Sequence, residues 1–129
     1  MLCVISPAKS LASTSLLTLP HAVSSPQFLE KTDELAALLR SKLHPKDYRS
    51  LMKVSDEIAT RTHKEFQSFE SSGSSKNFGS NFTPAGLLFD GPAFKALDLG
   101  SLSAVPVSAS QKHVRFFSGL YGLLRPCAV

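Results

Sequence analysis

No stretch of this chain approaches the roughly 20 consecutive apolar residues that would cross a bilayer, which excludes a helical membrane span. There are only two cysteines, Cys3 and Cys127, near opposite ends. They make a poor disulfide framework, so a reducing compartment, the cytoplasm, is the expectation. Cys3 lies in an apolar run and is expected to be a buried thiol. The histidines His21, His44, His63 and His113 lack metal-ligand spacing, so no metal site and no iron site is expected. Paired carboxylates, a glycine-rich phosphate loop and internal repeats are all missing. Acidic residues are absent before Glu30, and that opening stretch is rich in Ser and Thr. Such a composition invites comparison with a transit peptide. However, Leu2 to Ser6 already reads as a core strand, and one Lys before a Ser-broken apolar stretch matches a leader poorly.

What is present is globular material. The chain has 129 residues, 43% of them hydrophobic and 19% charged, which fits one domain at most. The formal net charge of +4 is a mild basic excess whose placement matters more than its size.

Leu2 to Ile5 is a short apolar run with β-branched members, stopped by Ser6-Pro7, and is expected to be a buried strand. Ala8 to Ser25 reads as a long surface loop. Ser24, with Pro26 and Gln27, is placed to cap a helix whose inward stripe is Phe28, Leu35, Leu38, Leu39 and Leu43. Pro45 opens a second helix with Tyr48, Leu51 and Met52 inward. Ser55 caps a third, with Asp56 and Glu57 in its first turn and Ile58, Ala59, Phe66 and Phe69 inward. Glu70 to Pro84 reads as a loop. Leu87 to Phe89 is expected to be a second strand and Ser110 to Phe117 a helix with Val114, Phe116 and Phe117 inward. Leu120 to Leu124 then enters a last strand. The pattern is α/β, mixed strands and helices, with few strands for a self-sufficient sheet.

Three constellations invite a function. From Arg40 to Lys64 there are seven bases and three acids, an excess as large as that of the entire chain. Two short helices joined by a tight turn can offer backbone N–H groups and flanking lysines to phosphates. An ordinary solvated helix face reads the same way. Second, Ser6-Pro7-Ala8-Lys9 ends the first strand, where α/β proteins place ligands. It also matches the Ser-x-x-Lys of penicillin-binding enzymes, but their companion motifs are missing. Third, Ser118 to Pro126 carries two glycines around Leu120-Tyr121. Tyr121 could hydrogen-bond or stack on a base, and Arg125, held extended before Pro126, could meet a phosphate. A packed turn with a structural Arg is the plain alternative.

Three segments taken together resemble one family. Ile5-Ser6-Pro7-Ala8-Lys9-Ser10, Leu51-Met52-Lys53-Val54-Ser55-Asp56 and Ser118 to Pro126 are similar, in order and separation, to signature blocks of the YaaA peroxide-stress family. One departure is local: family members usually carry a Tyr and a Gly where this chain has Phe94 and Ala96. A Ser-rich expansion also fills Glu70 to Asn81. The larger departure is length. Relatives continue well past the Leu-Arg-Pro, so residues 1–129 are expected to be the amino-terminal part of an incomplete single domain.

The resemblance implies a cytosolic α/β protein with a positively charged cleft and a helix-hairpin-helix-like pair that binds duplex or branched DNA. The implied role is protection against hydrogen peroxide and free iron. On this reading Lys46, Arg49, Lys53, Ser55 and Arg61 contact DNA, and Ser6, Lys9, Tyr121 and Arg125 line the cleft. No cofactor and no protein partner is implied. Two other readings stay open: an enzyme acting on a nucleotide or base in that cleft, and an inactive fragment.

Overall fold

The computed structural model describes residues 1–8, 10–12, 23–70 and 82–129. These residues contain six α-helices and a three-stranded mixed sheet, so the chain is mixed α/β. It divides into two compact units, Glu30–Ser71 and Met1–Leu29 with Ser72–Val129.

The first unit is helical: α1 (Leu29–Lys42), α2 (Pro45–Met52) and α3 (Asp56–Gln67). Glu30 opens α1 and Arg40 and Lys42 close it, each sign matched to the helix dipole. The buried side of α1 is not the expected leucine stripe. Thr32 and Ala36 are buried and Leu39 and Leu43 half-buried, whereas Leu35 and Leu38 are exposed. Nor does Ser24 cap this helix. It lies outside it, in a parallel bridge to Ala128.

Pro45 begins α2, where its missing N–H costs nothing. The Asp47 carboxylate accepts from the His44 N–H at 2.8 Å, and the Asp47 N–H returns to the His44 carbonyl at 2.9 Å. Tyr48 is buried, stacked on Phe66 with ring centroids 5.8 Å apart, and its hydroxyl donates to the Leu39 carbonyl at 3.3 Å. Burial raises the Tyr48 pKa. Leu51 and Met52, expected inward, are exposed. Arg40 ties α1 to the end of α3, its guanidinium donating to the Phe66 and Phe69 carbonyls at 3.1 and 2.7 Å.

The second unit holds β1 (Cys3–Ile5), α4 (Ala85–Leu88), α5 (Pro92–Leu97), a 3₁₀ turn (Leu99–Ser101), α6 (Ala104–His113), β2 (Val114–Ser118) and β3 (Gly122–Leu124). The strand order is β1-β2-β3. β1 runs parallel to β2 with Ile5 opposite Phe116, and β2 runs antiparallel to β3 with Phe116 opposite Leu124. Two expectations are corrected here. Leu87 and Leu88 lie in a short helix, and Phe89 makes an isolated bridge to Leu11. Val114 to Phe117 form the central strand, because the helix before it ends at His113. An apolar run of that length satisfies either period, and here the alternation of two decides: Phe116 is fully buried and Phe117 exposed.

Phe116 is the centre of this core. Its ring lies 4.9 Å from Phe94 and 6.3 Å from Phe89, with Ala85, Leu124 and Ala128 around it. Phe94 is itself buried. A second cluster gathers Leu99, Val107 and Cys127. Cys127 is the buried thiol, its pKa raised by burial, and Cys3 is exposed, the reverse of the expectation for Cys3. The segment around Cys127 is threaded between three others. The Cys127 N–H donates to Gln111 Oε1 at 2.9 Å, Ala128 accepts from Ala85 and Pro126 from Gly86, and the Ser24 N–H reaches the Cys127 carbonyl. A Cβ on Gly86 would strike Leu99 Cδ2 and sit 3.1 Å from the Pro126 carbonyl, so this crossing requires glycine.

Candidate nucleic-acid interface and apolar pocket

In the helical unit, Lys46 and Arg49 are three residues apart on one side of α2, and Lys53 follows the helix as its C-cap. All three are exposed. Lys53 closes the helix in a left-handed conformation, φ 54° and ψ 48°, with its N–H on the Arg49 carbonyl. That conformation stops α2 and lets α3 begin at Asp56. The Ser55 hydroxyl accepts from the Ile58 N–H at 3.4 Å and caps α3.

The electrostatics qualify this basic excess. Arg49 meets Asp56 across the turn at 3.1 Å, and Arg61 meets Glu65 along α3 at 3.6 Å. Both pairs are largely solvated, so each is weak and can exchange partners. Asp56 and Glu57 already occupy the positive end of the α3 dipole. Arg49, Lys53 and Ser55 lie at or next to the α2–α3 turn, Lys46 stands at the start of α2, and Arg61 stands further along α3.

In the sheet unit, the proposed cleft residues separate. β1 leaves the sheet at Ser6, and the Gly119–Tyr121 turn leaves β2 at the same end. Arg125 follows Leu124 toward the other end, about 10 Å along the strand direction from that turn. Lys9 lies outside the described residues. The Ser118 hydroxyl accepts from the Leu120 and Tyr121 N–H groups at 3.3 and 3.1 Å, which fixes the turn. Gly122, with φ 71°, closes it, and a Cβ there would press on Phe28 at 3.0 Å.

Beside this turn lies a pocket of about 340 Å³ lined by Ser118, Leu120, Tyr121, Phe89 and Leu11, among others. Among the described residues no Lys, Arg, His, Asp or Glu side chain lines it. The sequence reading found Tyr121 and missed the pocket's apolar walls, which come from segments far apart in the chain.

Comparison with known proteins identifies the relatives. Residues 1–129 match the family model described as peroxide stress protein YaaA. The chain is 40% identical over 131 residues to a UPF0246 protein of Alteromonas mediterranea. It is 41% identical over 128 residues to one of Cupriavidus pinatubonensis and 38% identical over 128 residues to one of Idiomarina loihiensis. Each alignment covers 98% of this chain and 46% of the relative, so the chain spans about half the length of the curated relatives it matches. No helix among the described residues is long and apolar enough to cross a membrane.

Proposed function

Because the chain belongs to the YaaA peroxide stress protein family, we propose that it binds duplex or branched DNA in the cytoplasm as part of the defence against peroxide and free iron. The α2–turn–α3 pair acts as the helix-hairpin-helix-like element of a single domain whose amino-terminal part is this chain. The observation that carries the reading is the exposure of Lys46 and Arg49 on α2 and of Lys53 at the turn that closes it. These cations neutralise phosphates, Ser55 holds the turn by capping α3, and Arg61 adds a contact further along. Affinity of this kind comes from counterion release and depends little on sequence.

A gel-shift titration of the chain on a branched duplex between 50 and 200 mM salt tests it. Each phosphate contact contributes about 0.9 to the slope of log K against log salt. Replacing Lys46, Arg49 and Lys53 with Ala should flatten the slope by nearly three. A slope unchanged by the triple variant, or salt-independent binding, refutes the assignment.

A further inference from the structure

We infer that the outer face of the β1-β2-β3 sheet is a docking surface for polypeptide, the part of the longer relatives that the match leaves out. The strand register sorts the side chains onto two faces. Cys3, Ile5, Val114, Phe116 and Leu124 share one, and Val4, Arg115, Phe117 and Leu123 share the other. On the inner face Phe116 is 0% exposed, beneath Ala85, Phe94 and Ala128. On the outer face Val4 is 46% and Phe117 51% exposed, and Leu123 is half-buried.

A sheet face meant for water is polar, and this one is apolar. Its one charged member, Arg115, has its guanidinium drawn back to the Gln111 and Val114 carbonyls at 2.9 and 2.7 Å, leaving the stem on the face. Among the described residues β1 has β2 as its sole strand neighbour, so one edge of β1 is open to a further strand.

The occupant is identified by length. More than half of each aligned relative lies outside the match. A covering segment in the same chain acts at an effective concentration in the millimolar range and displaces a second copy at micromolar concentration. The surface takes an apolar element, with a strand beside β1.

The test uses the unmatched segment of the Alteromonas mediterranea relative, produced separately and added to this chain. Light scattering should show a one-to-one complex. Phe117→Asp should weaken the complex at least tenfold, and Lys31→Ala should not. The inference is overturned if the Phe117→Asp and Val4→Asp chains bind the segment as tightly as the parent. It is equally overturned if two folded partners, checked by circular dichroism, do not associate. A homodimer that Phe117→Asp breaks and the segment leaves intact also overturns it, and makes a second copy the occupant.

Discussion

Replacing Lys53 with Gly should stabilise the helical unit while weakening DNA binding. Lys53 has φ 54° and ψ 48°, a conformation that costs a side-chain-bearing residue about 1–2 kcal/mol. Glycine removes that cost but loses about 0.5–1 kcal/mol in backbone entropy, so the net gain is about 0.5–1 kcal/mol. The Lys53 side chain is exposed, and the N–H bond to the Arg49 carbonyl survives the change, so no contact is lost. Lys53→Ala separates the two effects. It removes the same charge but keeps a Cβ in the left-handed conformation. Urea unfolding followed by helical circular dichroism should place Gly above the parent and Ala no higher than it. Salt titrations on DNA should show both variants losing the same slope, about 0.9. Equal stability for Gly and Ala would refute the left-handed turn, and unequal DNA slopes would refute the purely electrostatic role of the side chain.

Three further outcomes can be measured. Phe116→Ala should cost about 3–5 kcal/mol in urea unfolding and Phe117→Ala under about 1 kcal/mol, and equal costs would contradict the strand alternation. Asp56→Asn should free Arg49 and tighten DNA binding by up to about fivefold at low salt, since an exposed ion pair is worth under about 1 kcal/mol, and weaker binding would count against Arg49 as a phosphate contact. The raised pKa values of Cys127 and Tyr48 mean that the folded chain holds those protons more tightly than the unfolded chain. Stability should be fully present at neutral pH and decline in alkali as pH rises through the folded pKa values of these two groups. The urea midpoint followed against alkaline pH should decline less in Cys127→Ala, and a midpoint that climbs with pH there would reverse the sign.

The helical unit was legible because its signals are local. Pro45, Ser55 and the acids after it mark helix starts without reference to the rest of the chain, and α2 and α3 begin as expected. Which side is buried was harder, since Thr32 and Ala36 are buried and Leu35 and Leu38 exposed. In the sheet unit, short apolar runs satisfy both periods. Leu87-Leu88 became helix and Val114 to Phe117 strand for reasons that lie in distant partners, Pro126 above Gly86 and Cys3 to Ile5 beside β2. The separation of Arg125 from Tyr121 follows from strand direction, which no motif encodes.

The long threading of the sheet unit sets an order of assembly. β1 waits for a partner that starts more than a hundred positions later, and the bonds at Ala85 and Gly86 wait for Pro126 and Ala128. The hydrogen bonds and ring contacts among α1, α2 and α3 join residues close in the chain and can form while the ribosome is still making the rest. During synthesis the opening strand is therefore bare until β2 has emerged, the interval in which a holding chaperone would matter most.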